Sequence, residues 1–271
     1  MPEAHAGALR IHYRECHPAR AEPHDSPRRL PIVLVHGNWS THRWWIPTTA
    51  ALGRRLPEHR MLAIDQRGRG DTTGPDHGYS IAELAADLLA FLDALALERV
   101  HLVGHSLGSA VITQMALRWP ERVASLVVVA PCWVDGMPEK WARREDQARV
   151  HADRELFGRL MAGMAPKAPR DELWHELIIT GHRQRELATM RNLDALIAWR
   201  PGDALRALAM PRIVVDGELD PLCGGPTAAR AAQAMACERV CMTGIGHSPN
   251  LEAPEQLASI IRRMVRFAEI H

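Results

Sequence analysis

The chain carries almost no excess of either charge. Its 33 Lys and Arg stand against 32 Asp and Glu in 271 residues, a formal net charge of +1 with histidines neutral. That removes the electrostatic case for nucleic acid or an anionic membrane as a partner. The basic pairs Arg28-Arg29, Arg54-Arg55 and Arg262-Arg263 are short and scattered, and read as solvated faces. No apolar run is long enough to span a bilayer. The opening Met1-Pro2-Glu3-Ala4-His5-Ala6-Gly7 has no apolar signal region, so the expected location is cytoplasmic. Cysteine is scarce and unpatterned. Cys16, Cys132, Cys223, Cys237 and Cys241 are odd in number and lack metal-ligand spacing, which suits free or buried thiols. Histidine is plentiful but equally unpatterned. His5, His12, His17 and His24 show no ligand spacing, and His101 and His105 lie about 13 Å apart if they share a strand. No metal site is expected.

What the chain does have is a strand-and-helix rhythm around one serine. A length of 271 residues with 46% hydrophobic content suits one large α/β domain that can hold an insertion. Val100 to Ala110 reads as an apolar strand, a serine between two glycines, and the start of a helix. To lift a hydroxyl above a sheet, the chain must turn sharply from strand to helix. The residues two positions either side must then be small, because strand and helix nearly touch. Gly104 and Gly108 flank Ser106 in that way. The turn also aims the first helical N–H groups, beginning with Leu107, at the space beside the hydroxyl.

In chain order, Leu9 to Glu15 reads as an edge strand and His17 to Arg29 as an exposed loop. Ile32 to Val35, bounded by Pro31 and His36-Gly37, suits a strand buried on both faces. Gly37 allows a tight bend that turns the Asn38 N–H toward the site. Arg43 to Leu56 reads as a helix and His59 to Asp65 as a strand. The Gln66 to Thr72 turn lacks the lysine and helix start of a phosphate loop, and reads as structural. Ser80 and Glu83 form a capping box for a helix to Leu97. Arg122 to Ala130 is another strand. From Cys132 to Met210 no strand pattern is present, and the segment reads as a helical insertion. Strands resume at Pro211 to Gly217 and Glu238 to Thr243, with a closing helix over Pro254 to Ile270. The alternation predicts a mostly parallel, doubly wound sheet, with any ligand at the carboxyl ends of its strands.

A serine nucleophile needs a base and a carboxylate to orient that base. Asp220 follows one predicted strand and His247 lies in a Gly-rich loop after the last. Strand-end placement puts all three on one edge of the sheet. Rival acids are weaker: Asp216 falls inside a strand, Glu218 in the turn, and Asp135 after the preceding strand. His105 would point away from the hydroxyl, and His36 reads as structural or pocket-lining. Taken together, His36-Gly37-Asn38, Asp65-Gln66-Arg67-Gly68-Arg69-Gly70, Gly104-His105-Ser106-Leu107-Gly108, Gly217-Glu218-Leu219-Asp220 and Gly246-His247-Ser248-Pro249 resemble the α/β-hydrolase superfamily, in particular its capped serine-esterase-like members.

That resemblance implies an α/β-hydrolase fold with a helical cap inserted after the sixth strand. The core is then 1–131 and 211–271, and the cap 132–210. It implies Ser106 as nucleophile, His247 as base and acid, Asp220 as triad acid, and an oxyanion hole from the Asn38 and Leu107 N–H groups. Trp39, His105, Trp133 and Met161 are candidates to line the pocket. Epoxide hydrolases and haloalkane dehalogenases of this fold use an aspartate where this chain has Ser106. The expected activity is hydrolysis of carboxylic esters, lactones included, on a small-molecule substrate, by a monomer or homodimer without cofactor. The alternatives are carbon–carbon bond hydrolysis, or acyl transfer and cyclisation, by the same triad. A binding protein on a hydrolase scaffold is disfavoured by the intact Ser, Asp and His set.

Overall fold

Runs of β-branched and aliphatic residues build the centre of one eight-stranded sheet. The computed structural model describes residues 2–16 and 29–270, so the loop expected over 17–29 lies outside the described residues except for Arg29. In chain order the elements are β1 (Glu3–Ala6), β2 (Leu9–Cys16), β3 (Ile32–Val35), α1 (Ile46–Arg55), β4 (Met61–Ile64), α2 (Ile81–Ala94), β5 (Val100–His105), α3 (Leu107–Arg118) and β6 (Val123–Val129). The helices α4 (Arg144–Ala152), α5 (Arg154–Met164), α6 (Glu172–His182) and α7 (Glu186–Ala198) follow. The chain closes with β7 (Arg212–Gly217), α8 (Pro226–Met235), β8 (Glu238–Met242), α9 (Pro249–Glu252) and α10 (Pro254–Ile270). The strand order is β1-β2-β4-β3-β5-β6-β7-β8. Pairing is parallel from β4 across to β8, and antiparallel where β2 joins β1 and β4.

Strand alternation sorts the core into two layers. Val33, Val35, Leu62, Ile64, Leu102, Leu126 and Val128 face α2, α3 and α8 through Leu88, Phe91, Val111 and Ala231. Ile32, Leu34, Met61, Val103, Val127, Val129 and Val215 face α1 and α10 through Leu52, Leu257, Ile261 and Val265. Both faces are covered, which is why the central strands are apolar throughout. The capping box at α2 is formed: Ser80 accepts from the Glu83 N–H, and Glu83 accepts from the Ser80 N–H.

Two readings of local structure change. The strand over Leu9–Cys16 is not at the edge; β1 covers it, with Ala4 and Ala6 buried and Glu3 and His5 exposed. A four-residue strand whose inward side chains are alanines carries little hydrophobic pattern. The helix expected from Arg43 is preceded by a 3-10 turn over His42–Trp45, and α1 begins at Ile46 with Pro47 in its first turn. Between β6 and β7 the described residues form helices and turns without a strand. These helices close over the strand ends through clusters joining Trp44 and Leu251 to Ala165, Trp174 and Leu177, and Trp39 to Val150 and Phe157.

Two glycines predict opposite responses to the same added methyl group. A Cβ on Gly108 would strike the carbonyl oxygens of Val35 and His36. Gly53 in α1 has open space at that position. Gly108→Ala should lower unfolding free energy by about 1–3 kcal/mol. Gly53→Ala should raise it by about 0.5–1 kcal/mol. Urea unfolding of both variants checks this, and a Gly108→Ala protein as stable as the parent would contradict the tight strand–helix approach.

Candidate active site

Ser106 sits at the junction of β5 and α3 with φ 52° and ψ −120°. A side chain at positive φ is strained, and the surroundings must hold it there. They do so by close backbone approach. A Cβ on Gly104 would strike the Gly108 carbonyl, and one on Gly37 would lie 3.1 Å from Ser106 Cβ and 3.0 Å from His105 Nδ1. The Ser106 N–H donates to the Val129 carbonyl at 2.9 Å, tying the turn to β6.

On the β7–β8 side, His247 Nδ1 lies 2.9 Å from Asp220 Oδ2. The other carboxylate oxygen accepts from the Leu222 and Cys223 N–H groups at 2.8 and 2.9 Å. Burial pushes the Asp220 carboxyl up, but the His247 charge and these donors outweigh it and hold it below its ordinary value. The histidine loop is clamped. Its His247 N–H donates to the Met164 carbonyl of α5 at 2.7 Å, and the His247 carbonyl accepts from His105 Nε2 at 2.8 Å. Glu252 accepts from the Gly246 and Ser248 N–H groups, both at 3.0 Å. The His105 and His247 rings are 5.0 Å apart, so the base candidate packs against the residue before Ser106. Among the described residues, no hydrogen bond joins Ser106 Oγ to His247. Ser106 and His247 are 9% and 6% exposed, which leaves the site nearly closed to solvent.

The turn after β3 is set by a buried histidine. His36 Nδ1 donates to the Gly37 carbonyl at 2.7 Å, and its Nε2 accepts the Gln66 N–H at 3.1 Å. Those bonds require the Nδ1-protonated neutral ring. Neither the Asn38 nor the Leu107 N–H is committed to another described group. The Asn38 side chain is held instead, donating to the Thr189 carbonyl at 3.3 Å and accepting from Arg69. Trp39, at φ 59°, lays its ring 5.2 Å from Phe157 and 4.1 Å from His151 of the insertion. Met161 is half-buried among the insertion clusters, and Trp133 packs half-buried against the main core. His105 is buried beneath the histidine loop, its Nε2 spent on the His247 carbonyl.

Three groupings of ligand-type side chains converge that chain spacing does not announce: His12, His42 and Asp65; His59, His101 and Glu269; Asp220, Cys223 and His247. Hydrogen bonds within the first account for its geometry. Asp65 accepts from His12 Nδ1 at 2.7 Å, and from the His42 N–H and ring at 2.7 and 3.0 Å. Burial pushes the Asp65 carboxyl up, but these two histidines hold it well below the usual carboxylate range. In the second, Glu269 bonds His59 at 2.9 Å and pairs with Arg29 and Arg266, a cationic surround that opposes a metal ion. Among the rival acids, Asp216 is fork-bonded by Arg239 and Asp135 by Arg230.

A family model described as "Alpha/beta hydrolase family" matches residues 32–260, and the chain belongs to that family. One relative, from Klebsiella pneumoniae subsp. pneumoniae and named "Putative carbamate hydrolase RutD", is 30% identical over 235 residues, 82% of each chain. A Variovorax paradoxus protein of the same name is 42% identical over 113 residues, which span 42% of its length. Among solved structures, Est816, described as an N-acyl homoserine lactone degrading enzyme, is 26% identical with a TM-score of 0.76, covering 97% of this chain and 99% of that one. The enol-lactonase from Burkholderia xenovorans LB400 is 22% identical with a TM-score of 0.82 over 98% and 100%, a likeness of fold.

Three buried imidazoles set a pH dependence of stability. Burial lowers His36 and His101 to about 4; burial and then the His247 charge lower His105 to about 3. In an unfolded chain an imidazole takes its proton near pH 6.5. Between these values the unfolded state binds more protons, so stability rises with pH across the window and is lost as pH falls through it. Unfolding free energy should therefore decline from about pH 6.5 to about pH 4. His101→Gln, distant from the candidate site, should flatten that slope. Urea midpoints at stepped pH check it; identical slopes in parent and variant would contradict it.

Proposed function

We propose that this chain is a serine hydrolase cleaving carboxylic esters, lactones included, through an acyl-enzyme on Ser106. The observation that carries the reading is the His247–Asp220 pair, bonded at 2.9 Å and packed on His105 beside a strained serine. Asp220 keeps Nδ1 of His247 protonated and leaves Nε2 as the base. His247 takes the Ser106 proton as Oγ attacks the carbonyl, and the missing Ser106–His247 hydrogen bond forms when substrate closes the site. The uncommitted Asn38 and Leu107 N–H groups receive the oxyanion, each worth about 3 kcal/mol. His247 then protonates the leaving group and activates the water that releases the acid.

In this reading residues 132–210 form the cap and residues 1–131 and 211–271 the core. Trp39, Trp133 and Met161 border the acyl pocket, and His105 serves the site by fixing the His247 backbone. The mechanism uses protein groups alone, on a small-molecule substrate, and needs no more than a monomer or homodimer. The names of the relatives support acyl chemistry: a carbamate and a lactone both present a carbonyl with a heteroatom leaving group. A second reading, carbon–carbon bond hydrolysis by the same residues, is favoured by one relative, the 2-hydroxymuconate semialdehyde hydrolase of Pseudomonas sp. strain CF600. It is 25% identical over 259 residues, 89% of each chain.

Aryl esters of increasing acyl length, with a lactone, a carbamate and a ring-cleavage diketone alongside, should be turned over with esters or lactones preferred. Ser106→Ala, His247→Ala and Asp220→Asn should each reduce kcat by roughly 10⁴-fold. Equal rates in parent and variants would sink the triad; turnover of the diketone alone would favour the second reading.

A further inference from the structure

Among the described residues, Arg69 is the one fully buried guanidinium, it lies beside the candidate site, and it lacks a counter-charge. It is 0% exposed. Its Nη1 donates to Thr189 Oγ1 of α7 at 2.8 Å and its Nη2 to Asn38 Oδ1, while Nε has no partner. A guanidinium offers five N–H donors in a planar fork, so most of this fork is unfilled. No described carboxylate forms an ion pair with it. Arg67, two residues earlier in the same turn, shows the ordinary outcome: its fork is filled by Asp87 at 2.8 and 2.6 Å. Asp65, buried beneath Gly70, is taken by His12 and His42. The other titratable neighbours are Tyr79, whose hydroxyl is spent on Asp76, and the imidazoles of His36 and His151. Burial lowers the guanidinium to about 9, a measure of how little compensates its charge. A buried charge without a partner is costly, and a ligand that supplies the partner removes that cost.

The location says which end of a substrate would do so. Arg69 follows β4 and grips Asn38 after β3, on one side of β5 in the strand order; Asp220 and His247 follow β7 and β8 on the other. His247 must reach the leaving group, so that group lies on the β7–β8 side. The acyl group then extends toward Asn38 and Arg69. We propose that Arg69 determines specificity for acyl groups bearing a distal carboxylate, that is, for half-esters or lactones of dicarboxylic acids. The proposal rests on the serine-hydrolase reading above. A single fork with one positive charge suits a monoanionic carboxylate.

The test compares phenyl hydrogen glutarate with phenyl methyl glutarate, which share the phenyl ester and acyl chain and differ at the distal end, an anionic carboxylate in one and a neutral methyl ester in the other. The full-length parent should favour the acid in kcat/KM by at least about tenfold, and Arg69→Met should lower that ratio about a hundredfold, with Arg69→Lys between. A parent that prefers the neutral ester, or an Arg69→Met protein that loses both rates alike, would overturn the proposal and leave Arg69 as a brace for Asn38. Calorimetry on Ser106→Ala gives a reading that needs neither turnover nor a folded Arg69 variant. Glutarate should bind and dimethyl glutarate should not; equal binding of the two, none of either, or equal competition by inorganic phosphate would overturn it. If no ester is turned over yet glutarate binds Ser106→Ala selectively, the hydrolase reading fails and the carboxylate site stands.

Discussion

The structure depends on how closely β5, α3 and the end of β3 approach one another. Gly104 touches the Gly108 carbonyl, and Gly108 touches the Val35 and His36 carbonyls. Only glycine lets three backbone segments meet at that distance. The meeting forces Ser106 to positive φ, strain of roughly 1–3 kcal/mol that the packed parallel sheet sustains. The same contact lifts the hydroxyl above the strand ends and leaves the Leu107 N–H free beside it. Move α3 outward by the width of a methyl group and all of these relations relax together.

Around that contact, buried polar side chains tie one strand-end loop to the next. His36 spans the turns after β3 and β4 with a defined tautomer. His105 joins the elbow to the histidine loop, and Asp65 gathers His12 from β2 and His42 from the 3-10 turn. Each bond satisfies a group that would otherwise be orphaned in an apolar interior. Further bonds run to the insertion, among them those from His247 to Met164 and from Asn38 and Arg69 to Thr189. The insertion is thus fastened to the loops that carry the candidate base and the candidate oxyanion donor, so a movement of its helices would reach both.

This arrangement explains why one family hosts several chemistries. In the proposed mechanism the elbow and the base pair handle a carbonyl, and the loops after β3 and β4 and the inserted helices meet the rest of the substrate. Fold alone therefore assigns the family, and in that mechanism the substrate is left to side chains such as Asn38, Arg69 and Trp39. Beside the candidate site, the Arg69 guanidinium, buried without a counter-charge among the described residues, makes the clearest chemical demand.

Much of this was legible in the chain. Val33 to Val35, Leu62 to Ile64 and Leu126 to Val129 announce buried parallel strands because both their faces are covered. Ser80 and Glu83 announce a helix start because a capping box is local, and Gly104, Ser106 and Gly108 announce the elbow because its sterics act over four residues. The order of strand-end residues placed Asp220 and His247 on one edge of the sheet. What stayed hidden was long-range or weakly patterned. The alanines of β1 bury too little to show a period. His12 meets Asp65 across 53 residues, His105 meets the His247 carbonyl across 142, and Arg69 meets Thr189 across 120. Local sterics and periodicity are encoded in neighbouring residues, and so the sequence by itself determined the central parallel strands, the elbow and the candidate serine within it. Which buried charge finds a counter-charge, and which, like Arg69, finds only neutral partners, is decided only when distant loops are packed against each other, and so belonged to the tertiary structure.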